Sequence, residues 1–167
     1  MKITFRPLEK SDFQLFADWL AQPWVQKWWR EPATIEHVEK DYGDCTNGDY
    51  KTRVYVVLDH KKPIGIIQVF RQADYEDEYT YPINLSAIGI DYLIGELDYI
   101  GRGYGTQMIK RFIAEVIKPL YPGAFAVTAD PELANIASIR MLEKAGFEKS
   151  DLVSGEHGPE QIMSQEI

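Results

Sequence analysis

Three glycines lie close together at Gly101, Gly103 and Gly105, in the sequence GRGYGT that ends at Thr106. This segment follows an apolar run typical of a buried strand and precedes a helical pattern. At the start of a helix, the first backbone N–H groups have no partner within the helix, and the helix dipole adds partial positive charge. Glycines let a ligand approach that backbone closely. The pattern therefore predicts a site for an anion such as a pyrophosphate.

The spacing of these glycines narrows the choice of anion carrier. A P-loop requires G-x-x-x-x-G-K-[ST], and no Lys-Ser or Lys-Thr follows the segment. A Rossmann fingerprint requires G-x-G-x-x-G, and here the third glycine, Gly105, comes one residue early. Nucleoside triphosphates and dinucleotides are therefore disfavoured. The glycines alone leave open a tight corner between a strand and a helix that binds no ligand.

Periodicity predicts the elements that must position this segment. Residues 86–94 read as a largely buried strand, and residues 103–118 as one amphipathic helix ended by Pro119. A strand over residues 125–129 and a helix over residues 133–144 follow, and Gly146 suits the end of that helix. The tail from Phe147 has room for two more strands.

The N-terminal half shows weaker signals. Residues 3–7 read as a strand, Ser11 and Gln14 as a capping box that starts a helix to about Leu20, and residues 34–42 as a second helix. Residues 54–58 and 64–70 read as an antiparallel hairpin. Residues 43–49 and 72–82 read as loops, and the aromatic stretch around Trp24 is left unassigned. The order of elements predicts an α/β fold with a mixed sheet and helices on both faces.

Composition sets limits on the class of protein. The formal charge of −8 disfavours nucleic acid, because phosphate backbones are bound mainly through Lys and Arg. The single cysteine, Cys45, cannot pair within the chain, and no Cys/His cluster has the spacing of a structural zinc site. No apolar run approaches the roughly 20 residues that span a bilayer. We expect one domain over residues 1–167, in the cytoplasm, with no metal and no membrane partner.

Two motifs together resemble the GNAT superfamily of N-acetyltransferases. The first is GRGYGT between a strand and an amphipathic helix, and the second is NIASIRMLEKAGF, which begins about 30 residues later at Asn135. The resemblance implies acetyl-coenzyme A as the cofactor. It places the pyrophosphate on Gly101, Arg102, Gly103, Tyr104, Gly105 and Thr106, and the pantetheine arm on the backbone of Leu93 and Ile94 and on Asn135.

Within that superfamily, the C-terminal half is most similar to the aminoglycoside 6′-N-acetyltransferases, through GIDYLIGELDYIGRGYGT, TADP and NIASIRMLEKAGF. The chain departs from the family pattern at Ile100, where the superfamily often has Gln or Arg. It also departs at Leu142, where the group has a tyrosine, and near His157, where the group has an acid. Leu142 shares a helix face with Asn135 and is expected to point at the cofactor.

Transfer of an acetyl group to an amine requires the ammonium to lose a proton, since an alkyl ammonium has a pKa near ~10. Asp91 is the candidate base, because apolar neighbours surround it in the strand before the glycine segment. A partly desolvated carboxylate there could hold the ammonium and take its proton. The alternative is an ordinary buried Asp that is hydrogen-bonded to backbone. Cys45 has no neighbouring histidine, so direct transfer is expected rather than an acyl-enzyme.

Other residues could bind a cationic acceptor. Asp130 follows a strand and could hold a second ammonium, although Asp-Pro also starts turns. Glu76 and Asp77 lie in an acidic stretch that could equally be a solvated loop. Trp28, Trp29 and Tyr42 could offer ring faces to a sugar or a cation, or belong to the core.

We therefore expect a small-molecule amine as substrate, most simply an aminoglycoside acetylated on its 6′-amine. The alternatives are a polyamine, a siderophore precursor, a protein N-terminus, or a non-catalytic acyl-CoA sensor, which Leu142 would permit. The chain is expected to be a monomer or a homodimer.

Overall fold

A computed structural model describes residues 1–48 and 50–167 of the chain. Seven strands form one sheet in the order β1-β2-β3-β4-β5-β7-β6. The strands are β1 (Ile3–Pro7), β2 (Thr52–Asp59), β3 (Lys62–Arg71), β4 (Ala87–Ile94), β5 (Ala126–Ala129), β6 (Glu148–Gly155) and β7 (Gly158–Glu166). β4 pairs with β5 in parallel, whereas the pairs β1–β2, β5–β7 and β6–β7 are antiparallel. The predicted α/β fold with a mixed sheet is confirmed.

The helices are α1 (Phe13–Leu20), α2 (Pro23–Trp29), α3 (Ile35–Tyr42), α4 (Tyr104–Phe112), α5 (Lys118–Leu120) and α6 (Ile136–Ala145). The chain separates into two compact units. The first comprises Met1–Gln68 and Asp91–Tyr104, and the second comprises Val69–Ile90 and Gly105–Ile167.

The first unit has its own apolar core. Phe13, Phe16, Ala17 and Leu20 recur at helical spacing along α1 and are all buried. They belong to a cluster with Val54, Val56 and Ile66 from the strands and with Val38 and Tyr42 from α3. Truncating a fully buried side chain such as Phe16 to alanine would cost about 3–5 kcal/mol.

The second unit buries the apolar faces of two helices. Met108, Ile109 and Phe112 of α4 are almost inaccessible, as are Ile139 and Leu142 of α6. Gly146 takes a left-handed conformation with φ of 110° at the end of α6, as the sequence predicts.

The predicted start of the first helix is wrong, and one helix was not predicted. The capping box is formed by Glu9 and Asp12, not Ser11 and Gln14, because the Asp12 carboxylate accepts from the Glu9 N–H at 2.9 Å. A 3₁₀ turn over Lys10–Asp12 precedes α1. The aromatic stretch forms α2, which begins with Pro23 and ends at Trp29; the next residue, Arg30, has a φ of 55°. Proline is tolerated in a first helical turn because its missing N–H has no acceptor there.

The helix predicted over residues 103–118 is interrupted. α4 passes into a π-helical turn over Ile113–Ile117, and Pro119 lies inside the short α5 rather than after the helix. α6 begins three residues later than expected, because the Leu133 N–H donates to the Pro159 carbonyl at 2.7 Å and holds that segment against β7. Residues 72–78 are a kinked 3₁₀ segment rather than a loop. The loop predicted over residues 43–49 contains a 3₁₀ turn, and its last residue lies outside the described residues.

Candidate active site

The glycine segment, residues 101–106, begins in the first unit and runs into α4. Gly101 and Gly103 have φ of 73° and 84°, in the left-handed region that favours glycine. A Cβ built on either residue would meet no atom within 4 Å, and both residues are exposed, as is Arg102. The glycines are therefore needed for backbone conformation, and the space beside them is open to a ligand. This geometry fits a pyrophosphate at a helix N-terminus.

Two side chains of this segment are already engaged by the protein. The Tyr104 hydroxyl donates to Asp59 Oδ2 at 3.1 Å, and its ring packs edge-on against Tyr99, with 4.6 Å between centroids. In the second unit, the Thr106 hydroxyl donates to the Met141 carbonyl at 3.4 Å. Tyr104 and Thr106 would therefore offer backbone rather than side chains to an anion.

The end of β4 carries the backbone predicted to bind a pantetheine arm. The register of β4 with β5 covers Ala87 to Gly89, and β4 continues to Ile94. The Ile94 carbonyl accepts a hydrogen bond from the Trp24 indole at 3.1 Å. A Cβ on Gly65 would lie 2.2 Å from the Leu93 carbonyl, so only glycine lets β3 approach there. The Ile94 carbonyl thus has a protein partner already.

Asn135 is the N-cap of α6. Its side-chain oxygen accepts from the Ser138 N–H at 3.2 Å, as N-cap residues commonly do. Leu142, expected to point at the cofactor, is fully buried, so that expectation is wrong. The side chain at this position fills the core instead of lining an open site.

Asp91 lies on the part of β4 that belongs to the first unit. Its side chain is half-buried, and Oδ2 accepts a hydrogen bond from the Gln68 amide at 2.8 Å. This amide fixes the orientation of the carboxylate without neutralising it. Sequence reasoning missed Gln68, although a lone polar residue in the apolar run of β3 was a usable signal.

Tyr42 and Glu31 form a second polar group in the first unit. The buried Tyr42 hydroxyl contacts both Glu31 oxygens, at 2.7 and 2.9 Å, and Trp29 Nε1 approaches that hydroxyl at 3.4 Å. His37 Nε2 lies 2.9 Å from Glu31 Oε2. Burial raises the pKa of Tyr42 strongly, and the charge of Glu31 adds to the effect, so the phenol stays protonated. The charge of Asp91 also acts on this pKa. Sequence reasoning missed Glu31, which no local pattern marks.

Trp28 and the acidic pair Glu76 and Asp77 differ in exposure. Trp28 is half-buried, and Lys27 Nζ already lies 4.6 Å from its ring centroid. One face of that ring is thus paired with a cation of the same chain. Glu76 and Asp77 are exposed on the 3₁₀ segment of the second unit.

Asp130 belongs to an acidic group in the second unit. The Tyr81 hydroxyl donates to Asp130 Oδ2 at 3.0 Å, and burial raises the pKa of Asp130. Glu160, which sequence reasoning missed, has a pKa raised to about 7 by burial and by the charges of Asp130, Glu132 and Glu156. The segment after Asp130 pairs with β7 through Glu132 and Glu160, which explains their proximity.

Cys45 is buried, and burial raises the pKa of its thiol to about 11. A thiol that stays protonated near neutral pH is a poor nucleophile. In residues 1–48 and 50–167, no three His, Cys, Asp or Glu side chains group as metal ligands would. Over the same residues, no helix is both long enough and apolar enough to cross a bilayer.

The mixed sheet and the open glycine segment at a helix start are the features expected of a GNAT acetyltransferase, and comparison with known families gives the same class. The model of the acetyltransferase (GNAT) domain matches residues 9–154, so the chain belongs to this family. The resemblance recognised in the sequence is confirmed.

Known relatives extend over nearly the whole chain. Aminoglycoside N(6′)-acetyltransferase type 1 from Klebsiella pneumoniae is 26% identical over 170 residues, which cover 98% of this chain and 82% of the relative. The crystal structure of aminoglycoside acetyltransferase AAC(6′)-Ib with coenzyme A and kanamycin superposes with a TM-score of 0.88 at 25% identity, over 99% of this chain and 95% of the other. Spermidine N-acetyltransferase from Vibrio cholerae, at 16% identity and a TM-score of 0.76, shares the fold, covering 99% of this chain and 95% of its own.

Proposed function

We propose that this protein is an acetyl-CoA-dependent N-acetyltransferase that acts on a primary amine of a cationic small molecule, and that this amine is the 6′-amine of an aminoglycoside. The observation that carries the proposal is the oriented carboxylate of Asp91, on the strand that leads into the open glycine segment. Two of the relatives named above, the Klebsiella pneumoniae enzyme and the AAC(6′)-Ib structure with kanamycin, support the same acceptor.

When bound, acetyl-CoA supplies the acetyl group as a thioester. The backbone N–H groups at the start of α4 would hold its pyrophosphate, and Gly101 and Gly103 leave room for it. Arg102 adds a positive charge on the exposed segment. Leu93 and Asn135 remain the expected partners of the pantetheine arm, through main-chain groups and the Asn135 amide.

Asp91 would hold the acceptor ammonium and take its proton, directly or through one water. The freed amine lone pair could then form the new C–N bond to the acetyl carbon in place of the C–S bond. The second proton of the nitrogen would end on the departing sulfur, so the products would be the N-acetyl amine, the coenzyme A thiol and protonated Asp91. Gln68 keeps the Asp91 carboxylate in one orientation, which reduces the motion required before the proton transfer.

In the first unit, Trp29 and Trp28 would supply aromatic surface to the sugar rings of the acceptor. Tyr42 belongs to the buried core of that unit, so the predicted contact of its ring with the acceptor is corrected to a core role. Asp130 in the second unit, with Glu76 and Asp77, would attract further ammonium groups. Several acids suit an acceptor with several amines better than a peptide, which presents one. We further propose a single domain over the whole chain, a cytoplasmic location, and a monomer or homodimer.

The test is release of coenzyme A thiol by the purified chain, with acetyl-CoA and a panel of amines. The panel contains kanamycin, a matched aminoglycoside with a hydroxyl in place of the 6′-amine, spermidine, and a peptide with a free N-terminus. Turnover of kanamycin, with none for the 6′-hydroxyl compound, supports the proposal. Faster turnover of spermidine or of the peptide would show that the acceptor is a polyamine or a protein N-terminus instead of an aminoglycoside. Binding of acetyl-CoA without turnover of any amine would indicate the acyl-CoA sensor instead.

A further inference from the structure

The glycine segment contains little that could hold its own shape. Gly101 and Gly103 have no side chains, no atoms surround the position of a Cβ on either, and Arg102 is exposed. An anion site built from backbone N–H groups works only if those groups point in fixed directions before the ligand arrives. A segment with two left-handed glycines loses much conformational freedom when it is fixed. Some other group must therefore restrict it.

Tyr104 is the residue of the first unit that connects this segment to the sheet. It is the first residue of α4 and directly follows Gly103. Its half-buried side chain has two contacts, the hydroxyl on Asp59 Oδ2 at 3.1 Å and the ring edge against Tyr99. The ring and hydroxyl together fix the position of the Tyr104 backbone at the start of the helix.

Asp59 is itself firmly held. It is the last residue of β2 and only 8% exposed, and its other oxygen, Oδ1, accepts from the Lys2 N–H at 2.7 Å. The next residue, His60, donates its own N–H to the Lys2 carbonyl at 2.9 Å. The carboxylate is therefore anchored between the end of β2 and the residue that directly precedes the edge strand β1, and it is a rigid acceptor for the Tyr104 hydroxyl.

Tyr99 is anchored as well. Lys62 Nζ lies 5.3 Å from the centroid of its ring and makes a 2.8 Å ion pair with Glu96, which accepts from the Trp19 indole at 3.1 Å. The two partners of Tyr104 thus belong to separate, independently fixed parts of the first unit.

The Asp59 carboxylate contacts the glycine segment through Tyr104, and a negative charge near a phosphate site opposes phosphate binding. Its presence there therefore needs an explanation. Both oxygens of Asp59 accept hydrogen bonds from groups of the protein, the Lys2 N–H and the Tyr104 hydroxyl. These donors explain how the charge is tolerated there, and mechanical restraint of the segment explains why an acceptor is useful.

We propose that Asp59 is a positioning residue for cofactor binding, which acts through the Tyr104 side chain to hold the glycine segment in the conformation that receives the pyrophosphate. This inference rests on the proposed use of acetyl-CoA. It assigns to Asp59 and the Tyr104 hydroxyl a role in affinity without any contact between Asp59 and the cofactor.

The test compares variants by their dissociation constants for coenzyme A in calorimetry. Tyr104→Phe keeps the ring on Tyr99 and removes only the hydroxyl, and we expect about tenfold weaker binding, equal to the loss of one charge-assisted hydrogen bond. Asp59→Ala should weaken binding similarly, and the double variant should be no worse than either single one. Asp59→Asn keeps an acceptor for Lys2 and a polar partner for Tyr104, so it should restore affinity to within about twofold. Tyr99→Phe, which keeps its ring, is the matched control.

A second readout separates positioning from general stability. Acetylpantetheine lacks the pyrophosphate, so Tyr104→Phe should raise KM for acetyl-CoA and leave kcat/KM with acetylpantetheine unchanged. Equal losses with both donors, or a wild-type affinity in a folded Tyr104→Phe variant, would overturn the inference. The inference would also be overturned if the weaker coenzyme A binding of Asp59→Ala were fully accounted for by a lower thermal midpoint of that variant. If the wild-type chain itself does not bind coenzyme A, the proposed function is wrong. That result is distinguishable from the outcomes above, in all of which the wild-type chain binds coenzyme A.

Discussion

The Gln68 amide and the Asp91 carboxylate lie 2.8 Å apart on neighbouring strands, with the amide donating to Oδ2. The two residues are separated by 23 positions in the chain. A carboxylate that accepts from an amide keeps its charge and its remaining lone pairs, so it can still receive a proton. This contact turns a residue marked by its sequence setting into an oriented candidate base.

Asp91→Asn should reduce turnover without weakening acetyl-CoA binding. The substitution keeps size and leaves an oxygen to accept from Gln68, while it removes the basicity. General acid–base assistance is worth about 10²–10⁴-fold, so kcat/KM for the acceptor should fall by that much. Calorimetry with acetyl-CoA and a thermal midpoint check the other two quantities.

Asp98→Asn is a suitable control, since Asp98 is an exposed acid of the same unit. A stable Asp91→Asn protein with a kcat/KM within about threefold of wild type would show that Asp91 is structural.

Gly103→Ala should weaken coenzyme A binding through the backbone. The φ of Gly103 is 84°, and a left-handed conformation costs a residue with a Cβ about 1–2 kcal/mol. No atom lies within 4 Å of that Cβ, so the added methyl group would not clash with the protein itself. Calorimetry should show at least a severalfold rise in the dissociation constant. Gly123→Ala is the control, because Gly123 is also open to solvent but does not have the left-handed φ; equal affinities for the two variants would contradict the placement of the pyrophosphate.

The parts of this site that the sequence predicts are those determined over short distances along the chain. A glycine segment between a strand and a helix is readable because its neighbours in sequence are its neighbours in space, and the same holds for Asp91 on its strand. The partners of these residues are different. Asp59 reaches Tyr104 across 45 positions, and Gln68 reaches Asp91 across 23. The register of the sheet brings Gln68 and Asp91 together, and the packing of the start of α4 brings Tyr104 to Asp59. A single sequence encodes neither relationship visibly.

The elements show the same division. The amphipathic helix after the glycines is predicted, but its π-helical turn at Ile113–Ile117 is not. Ile113 and Ile117 are buried in that turn, so the apolar pattern of the sequence looks the same as that of a continuous α-helix. The helix Pro23–Trp29 is missed because aromatic residues have weak helix propensity, and tertiary contacts such as that of Trp24 with the Ile94 carbonyl stabilise it.

Asp130→Asn should reduce activity only toward acceptors with several amines. Asn keeps an oxygen for the Tyr81 hydroxyl, so the fold is retained while the charge is lost. We expect kcat/KM for kanamycin to fall about tenfold, because one carboxylate that attracts the ammonium groups of the acceptor is removed. Capture by the exposed acids Glu76 and Asp77 should weaken as salt rises, because exposed charges are screened over about 10 Å at 0.1 M. A mono-amine sugar should react as before. The paired substitution of Glu76 and Asp77 by Gln and Asn tests the exposed acids separately, and a salt-insensitive wild-type enzyme would rule out electrostatic capture by any of them.

Glu160→Gln should make the protein more stable at high pH. Burial, with the charges of Asp130 and Glu132, raises the pKa of Glu160 from 4.5 to about 7 in the folded chain. A raised pKa means that the folded state binds the proton more tightly than the unfolded state, so stability is full below about pH 4.5 and declines as the pH rises through about 7. The variant cannot ionise at this position and escapes that decline. Its side chain has the shape of the original, which matters because Glu160 lies against Gly155, where a Cβ would meet Oε1 at 1.9 Å.

Thermal midpoints measured from about pH 5 to about pH 8 check this directly. The wild-type midpoint should fall across the range more steeply than that of Glu160→Gln, and the two should converge at the acidic end. Glu148→Gln, which changes an exposed acid of β6, is the control and should follow the wild type. Asp130, whose pKa is also raised, contributes a slope of the same sign to both proteins, so the difference between them reports Glu160 together with its charge interaction with Asp130. Parallel curves for wild type and Glu160→Gln would mean that this carboxyl titrates normally in the folded chain.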